Sequence, residues 1–532
     1  MKLKLGKKEK SGNSEEERDF GVSEETLAGY LDLQRWTVPE GHAEVETYPL
    51  KPPFSYASIV QNEDTGVYLY VVDELSLTME ESDLFFRMKN ILEYELQAPE
   101  EDQTLRESFH AQMPDIVDAH PKVFKDVSAI SLRKILYYLE RDIVGYGKID
   151  PLMFDPYVED ISCSGVNKHI FLWHRRYENI RTNIFFKEEQ NLSDFVMKMV
   201  HKAGKHVSIA FPIVDVTLPG QHRLAVSYGK ETTPSGTSFT IRKFREDPFT
   251  IVDLIENETI DESIAAYLWL LMENKMSVMV MGATGAGKTT ALNAIACLIR
   301  PSYKIISVEE VAEVNLPHEN WTATIARSGY GVESEGEITL YDLIKSAVRH
   351  RPDLIIVGEV RGEEAYVLFQ ALATGHGGLC TLHAEDVETA IKRLTQPPMN
   401  IPSSIIPLMN CAIIVKHVRK PIFLSGEKRL SSRKFTRVAE IKSAESIKDV
   451  FTWTASTDTF QQEELDKSYL IAKIARDLDV SVERILDDLE QRKRLLQDMT
   501  ENNIRDYRSV NDVLSKYYFH PTGSLKASQE EE

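Results

Sequence analysis

Cysteine is scarce in this sequence, and the few cysteines present are far apart. The chain of 532 residues contains four, Cys163, Cys297, Cys380 and Cys411, and no two of them form a C-x-x-C pair. This spacing excludes an obvious zinc site and is typical of a reducing compartment, where thiols stay unpaired. We therefore expect a fold held together by its hydrophobic cores and not by disulfides or a structural metal.

Long hydrophobic runs are also missing. No segment approaches the roughly 18 consecutive apolar residues that a membrane-spanning helix needs. The first ten residues, MKLKLGKKEK, lack the apolar centre of a signal peptide. Residues 1–22 are polar and predict a disordered tail, whose lysines offer a weak contact for anionic lipid. We expect a cytoplasmic protein that reaches the inner face of a membrane peripherally, through partners.

Acidic residues outnumber basic residues in this sequence. The chain has 62 lysines and arginines against 83 aspartates and glutamates, which gives a formal net charge of −21. This balance argues against a nucleic-acid footprint over the whole protein, although a local basic channel remains compatible with it. Hydrophobic residues make up 42% of the chain, enough for several cores, and the length predicts about three or four domains.

The most informative segment of the sequence is a strand, a glycine-rich turn and a helix at residues 277–299. Residues 277–281 predict a buried strand, residues 290–299 predict a helix, and GATGAGKT between them fits the pattern G-x-x-x-x-G-K-[ST]. Glycines let backbone N–H groups surround phosphate oxygens, while Lys288 would neutralise the β- and γ-phosphates and Thr289 would bind Mg²⁺. The sequence therefore predicts a nucleoside triphosphate site. Its residues are Gly282, Ala283, Thr284, Gly285, Ala286, Gly287, Lys288, Thr289 and Thr290.

The order of elements predicts several domains. After the tail we expect an α+β domain, a second α+β domain, a P-loop domain and a helical extension. Their predicted ranges are 23–145, 146–245, 246–450 and 451–532. Strands and helices alternate in the P-loop domain, which predicts a parallel α/β sheet with polar residues at the carboxyl ends of its strands.

These strand ends supply the groups that hydrolysis requires. Glu359 follows an apolar strand and is the natural Mg²⁺-binding carboxylate, and Glu313 follows a different strand and could polarise water. His383 is a candidate γ-phosphate sensor, with His376 seven residues earlier. Glu309 and Glu310 fit solvated strand-end residues equally well. Candidate cations are Arg349, Arg351 and Arg361 beside the Glu359 strand, and Arg223 and Arg242 in the preceding domain.

Four ordered segments resemble the boxes of a known family. GATGAGKTT, EEVAE, RPDLIIVGEVRG and TGHGGLCTLHA are similar to the Walker A, Asp box, atypical Walker B and His box of the type II/type IV secretion ATPase superfamily. The likeness includes FPIVDVTLPGQHRLAV and FTIRKF and covers most of residues 130–520. It is greatest with archaeal members that power secretion, pilus assembly or the archaellum.

The resemblance implies a fold and a function. It implies a RecA-like P-loop domain with a parallel sheet, preceded by α+β N-terminal domains and followed by a helical tail, with ATP and Mg²⁺ between a PAS-like second domain and the P-loop domain. It further implies a homohexameric ATPase that drives secretion or filament assembly through an integral-membrane platform protein.

The resemblance also assigns roles to individual residues. Glu313 would be the general base, Glu359 with Thr289 would hold the metal, His376 and His383 would form the His-box pair, and Arg223 and Arg242 would face the nucleotide as arginine fingers. The Asp box commonly has an aspartate after its first glutamate. Glu310 stands at that position here, which leaves the Mg²⁺ or water geometry open.

Two other functions stay open at this level. A nucleic-acid-stimulated translocase is one, since residues 469–485 read superficially like a helix-turn-helix. The first turns of its second helix are mostly acidic, with Glu483, Asp487, Asp488 and Glu490 against Arg484, a poor match to phosphate. A nucleotide-gated assembly switch is the other, although it would have no use for Glu313 and His383.

Overall fold

The computed structural model describes most of the chain in two compact units. The described residues are 38–99, 103–124, 127–231, 233–245, 247–327, 336–419 and 431–519. The predicted tail, residues 1–22, lies outside them. The first unit ends at Phe244 and the second begins at Arg245.

A nine-stranded sheet forms the centre of the first unit, in the order β1-β2-β3-β6-β5-β4-β9-β8-β7. Its strands are β1 His42–Lys51, β2 Ser55–Asn62, β3 Tyr68–Glu74, β4 Val158–Cys163, β5 His169–His174, β6 Glu178–Phe185, β7 Ile213–Thr217, β8 Arg223–Ser227 and β9 Ser238–Arg242. All neighbouring pairs are antiparallel except β3 and β6, which are parallel. Through that pair the sheet crosses the domain boundary predicted near residue 146. The division into a tail and four domains stays a prediction.

Helices cover this sheet and form a small core of their own. They are α1 Met79–Glu95, α2 Leu105–Ala119, α3 Ala129–Leu139, α4 Asp150–Phe154 and α5 Glu189–Lys202. A capping box begins α1 and another begins α2, and α3 runs into a π-helical turn, Glu140–Val144. The buried side chains of α1, α2 and α3 pack together, among them Met88, Phe109 and Ile135.

The second unit contains the predicted parallel sheet. The strand order is β12-β11-β13-β14-β10-β15-β16-β17-β18. The strands are β10 Val278–Met281, β11 Ile305–Glu309, β12 Trp321–Ile325, β13 Leu354–Val360, β14 Gly377–Leu382, β15 Cys411–Arg419, β16 Ser431–Ser443, β17 Ser446–Thr454 and β18 Thr459–Gln462. From β12 to β15 all neighbours are parallel, and β15 to β18 form an antiparallel meander. The parallel α/β prediction is confirmed.

Helices bury both faces of this sheet. They are α6 Ile251–Glu256, α7 Glu262–Glu273, α8 Lys288–Ala296, α9 Leu340–Arg349, α10 Glu364–Ala373, α11 Val387–Thr395, α12 Tyr469–Asp477, α13 Val482–Glu501 and α14 Tyr507–Phe519. Along β10, Val278 and Val280 join one apolar cluster, whereas Met279 and Met281 join the other. Burial on both sides explains why β10 has no polar residue. Among the described helices none is both long and apolar enough to cross a bilayer.

The α-helices of the tail begin only at residue 469, so the prediction of a helical extension from residue 451 was wrong at its start. β17 and β18 pair there, with Trp453 opposite Phe460. Aromatic and β-branched residues favour a pleated surface, and this hairpin extends the sheet edge that β16 provides. The helices that follow pack on the P-loop domain, since the buried Glu440 of β16 accepts a hydrogen bond from the Tyr469 amide at 2.7 Å.

Candidate nucleotide site

The parallel register brings four strand ends to one edge of the sheet. Met281 of β10 pairs with Leu382 of β14. Val357 of β13 pairs with Cys380 of β14 and with Val308 of β11. Because parallel strands end at the same edge, the P-loop, His383, Glu359 and Glu309 follow one another there. The sheet thus gathers residues as far apart in the sequence as Gly282 and His383.

The P-loop has the conformation of a phosphate cradle. Gly285 and Gly287 have φ angles of +74° and +96°, which side chains rarely tolerate. Gly287 is also the N-cap of α8, and no side chain caps that helix. A Cβ atom on Gly287 would lie 2.8 Å from the Arg433 Cδ. The uncapped amides at the start of α8 are free to bind an anion, so the loop fits a triphosphate chain.

Lys288 lies across this loop with its amine held in place. The residue is only 8% exposed. Its Nζ donates a hydrogen bond to the Ala283 carbonyl at 3.0 Å and lies 3.3 Å from Nδ1 of His383. Burial lowers the pKa of Lys288, and the negative charge of Glu359 opposes that shift. A phosphate anion would provide the countercharge that burial makes favourable.

Glu359 lies at the centre of the charged residues. Its Oε2 accepts a hydrogen bond from Arg361 Nη2 at 2.6 Å, and its Oε1 lies 2.8 Å from His383 Nε2. Burial tends to raise the pKa of Glu359, but the Arg361 hydrogen bond and the positive charges nearby hold it below its ordinary value. Burial and the charge of Lys288 lower the pKa of His383. At neutral pH the site therefore contains a carboxylate beside a neutral imidazole.

The metal ligands predicted from the sequence fit a magnesium site. Thr289 is in the first turn of α8, and Glu359 remains ionised at the same sheet edge. Within the described ranges, no group of three or more His, Cys, Asp and Glu side chains could hold a metal ion. A P-loop site does not require one, because Mg²⁺ there takes most of its ligands from phosphates and water.

Glu313 follows β11 in a loop that is anchored through its backbone. Its amide donates to Oε1 of Glu309 at 2.9 Å, and its carbonyl accepts from Nδ2 of Asn293 at 2.8 Å. The Glu313 side chain is half-buried, and its negative charge weakly opposes the lowering of the Lys288 pKa that burial causes. Glu313 thus lies within electrostatic reach of the P-loop.

The two glutamates that precede this loop have opposite surroundings. Glu309 is 2% exposed, which excludes the solvated alternative for this residue. Glu310 is exposed, and its Oε2 lies 3.4 Å from Nη1 of Arg361. Arg361 thereby contacts carboxylates at the ends of two different strands, Glu359 within the last residues of β13 and Glu310 just after β11. In the sequence Arg361 was one of several candidate cations near β13, and its position two residues after Glu359 was the available signal.

His376 is not brought to the P-loop. It precedes β14, whereas His383 follows it, so the six residues of the strand separate the two histidines. Nδ1 of His376 lies 3.0 Å from both the Ala371 carbonyl and the Thr374 hydroxyl at the end of α10. A strand places residues seven positions apart at its opposite ends, which the shared glycine-rich segment did not reveal.

Arg223 and Arg242 belong to the first unit and face each other there. They are partners in the register of β8 and β9. Nε of Arg223 donates to Asp215 at 3.0 Å, and Nε of Arg242 donates to Asp160 at 3.1 Å. Their assignment as arginine fingers stays a prediction.

The parallel sheet, the P-loop and the acidic residues at the strand ends define a RecA-like P-loop domain. Residues 145–461 match the family described as type II/IV secretion system protein. This match covers more than half of the 532 residues. The chain therefore belongs to the type II/IV secretion system protein family.

Individual relatives share parts of the chain. An uncharacterized protein of Methanocaldococcus jannaschii is 38% identical over 393 residues, which cover 72% of this chain and 70% of the relative. A putative conjugal transfer protein of Mycobacterium tuberculosis is 32% identical over 258 residues, 47% of this chain and 72% of that protein. A solved structure of the pilus retraction motor PilT with bound ADP covers 70% of this chain and 93% of its own, at 16% identity and a TM-score of 0.38.

Proposed function

We propose that this chain is an ATP-hydrolysing motor that powers protein secretion or the assembly of a pilus- or archaellum-type filament. The observation that carries the proposal is the series of contacts from Lys288 through His383 to Glu359 beside the P-loop. Family membership supports the motor role, because the match includes the whole of this site.

Each residue of the site has a chemical task in this proposal. The P-loop amides and Lys288 bind the phosphates of ATP. Thr289 and Glu359 hold Mg²⁺, which when bound would neutralise charge on the phosphates. Glu313 orients the attacking water and accepts its proton. His383, as a neutral imidazole, is a hydrogen-bonding partner for the γ-phosphate.

The proposal extends to assembly and location. The motor would be a homohexamer in the cytoplasm, and it would act on an integral-membrane platform protein at the inner face of the membrane. Arg223 and Arg242 would supply positive charge to the nucleotide. The acidic net charge of −21 supports a protein partner over nucleic acid.

Steady-state ATPase turnover at several protein concentrations tests this function. It would be measured without additions, with anionic lipid vesicles, and with single-stranded and duplex DNA. We expect specific activity that rises with protein concentration and lipid and that ignores DNA. Strong stimulation by DNA would instead favour a nucleic-acid-stimulated translocase, which the similarity to a putative conjugal transfer protein makes worth including.

The Glu313→Gln variant tests the proposed base. Glutamine keeps the size of the side chain, but it cannot accept a proton from water. We expect ATP binding to be retained while kcat falls by about 100-fold or more. Turnover is followed by phosphate release and binding by a fluorescent ATP analogue. Normal turnover in this variant would remove Glu313 from the mechanism.

A further inference from the structure

We propose that Glu309 and Asn293 are positioning residues that clamp the Glu313 loop from two sides. The inference rests on the proposed function, in which Glu313 activates water. Oε1 of Glu309 accepts hydrogen bonds from the amides of Glu313 and Val314, both at 2.9 Å. Asn293 Nδ2 donates to the Glu313 carbonyl at 2.8 Å, and its Oδ1 accepts from the Asn315 amide at 3.1 Å. Two side chains thereby hold four backbone groups of three consecutive residues.

Both clamp residues are buried, which makes their contacts strong. Glu309 is 2% exposed and Asn293 is 6% exposed. In such surroundings an unmade hydrogen bond costs far more than at the surface, so the loop has little freedom to leave this geometry. The other oxygen of Glu309, Oε2, is buried without a hydrogen-bond partner among the described residues. An apolar side chain would pack there at lower cost but would leave two amides unpaired.

The clamp connects the Glu313 loop to two elements beside the rest of the site, α8 and β11. Asn293 is on α8, five residues after Lys288, so a shift of the P-loop helix would be passed to the Glu313 carbonyl. Glu309 ends β11, next to β13, and a Cβ atom on Gly358 would lie 3.2 Å from its Cγ. Gly358 immediately precedes Glu359. The position of the proposed base is therefore set by side chains that do not need to touch the nucleotide.

Kinetics of full-length variants test the clamp. Glu309→Ala and Asn293→Ala each remove one side of it. We expect kcat to fall by about 10- to 100-fold, because a displacement near 1 Å at a reacting group has effects of this size. The Kd for a fluorescent ATP analogue should stay within about threefold, since neither residue binds the phosphates. Glu309→Gln keeps an acceptor oxygen, so its kcat should be close to that of the wild type and well above that of Glu309→Ala.

Two further variants separate positioning from general damage. Asn293→Asp retains an acceptor for the Asn315 amide but loses the donor to the Glu313 carbonyl, so its kcat should fall. This variant tests the clamp if the alanine variants do not fold. Glu440→Gln is the matched control, because Glu440 is also buried and accepts a backbone hydrogen bond, from Tyr469. We expect its kcat to be unchanged.

Hydrogen exchange of the peptide that contains Glu313 gives a readout that is independent of turnover. The amides of Glu313 and Val314 should be protected in the wild type and should exchange faster in Glu309→Ala. If the wild type hydrolyses ATP and every clamp variant keeps its kcat, the clamp is wrong and the proposed function stands. If the wild type binds ATP and hydrolyses none, the proposed function fails, and a catalytic role of the clamp fails with it.

Discussion

At the scale of single residues, burial decides what each acidic side chain can do. Glu309 and Glu310 are neighbours in the sequence, yet the first is buried and the second is exposed at the same edge of the sheet. Burial raises the pKa of the Glu309 carboxyl to about 7, whereas the Arg361 hydrogen bond and nearby charges counteract the effect of burial on Glu359. Identical side chains thus acquire different pKa values from their surroundings.

Lys288 is the residue on which nucleotide binding should depend. In Lys288→Ala the phosphates would lose their buried countercharge, so the Kd for ATP should increase by at least about 100-fold. Titration with a fluorescent ATP analogue measures this change. Lys288→Arg is the control that keeps the positive charge. We expect its affinity for ATP to lie between those of the wild type and Lys288→Ala, because the guanidinium group is larger than the amine. Unchanged affinity in Lys288→Ala would show that the P-loop assignment is wrong.

At the scale of elements, a buried polar network joins strands that the sequence assigned to different domains. The hydroxyls of Tyr48 on β1 and Tyr70 on β3 donate to Oδ2 of Asp155, at 2.8 and 2.6 Å. His174 at the end of β5 is fully buried, and its Nε2 lies 3.1 Å from the Tyr48 hydroxyl. Its Nδ1 accepts from the Arg176 amide at 3.1 Å, which assigns the proton of the neutral ring to Nε2. These contacts, with the parallel pairing of β3 and β6, make one sheet of the first unit.

The His174 network predicts that stability depends on pH. Burial lowers the pKa of His174 to about 4, while the unfolded chain titrates near the ordinary value of about 6.5. Below that value the unfolded state takes up a proton that the folded state does not, so the free energy of unfolding should fall by up to ~3 kcal/mol between these two pH values.

Comparison with His174→Gln isolates this effect. Glutamine does not titrate, so urea unfolding at pH 7 and pH 5 should show a smaller pH dependence in the variant than in the wild type. His222 of the same unit also has a pKa lowered by burial, to about 4. Only the difference between the two proteins therefore reports on His174. Equal pH dependence in both would contradict the expected buried, neutral state of His174.

At the scale of the whole molecule, each of the two units contains one nine-stranded sheet. All four cysteines are buried within these units as free thiols. Burial raises the pKa of the Cys297 and Cys380 thiols to about 12. They serve as small apolar side chains of the core.

Thiol labelling tests the burial of the cysteines. At pH 8 we expect the native protein to react with none of its cysteines over minutes, because thiolate forms only in opened molecules. After unfolding in urea, all four should react at once. Absorbance of a chromogenic thiol reagent gives both counts. One thiol that reacts rapidly in the native protein would show that its core is open to solvent.

The sequence by itself determined the P-loop, the parallel sheet around it and the family resemblance. These depend on local patterns: a glycine-rich turn between a strand and a helix, and apolar runs that end in polar residues. The same local patterns made the strand that contains Glu359 and the helix after the P-loop predictable.

Only the tertiary structure decided which of the candidate residues meet. His376 is separated from His383 by the length of β14, Glu309 is buried, and Asn293 on α8 contacts a loop 20 residues further along the chain. The β17–β18 hairpin, in a segment predicted to be helical, forms through strand pairing. Contacts between distant segments depend on how the strands are ordered in the sheet, and no local spacing encodes that order.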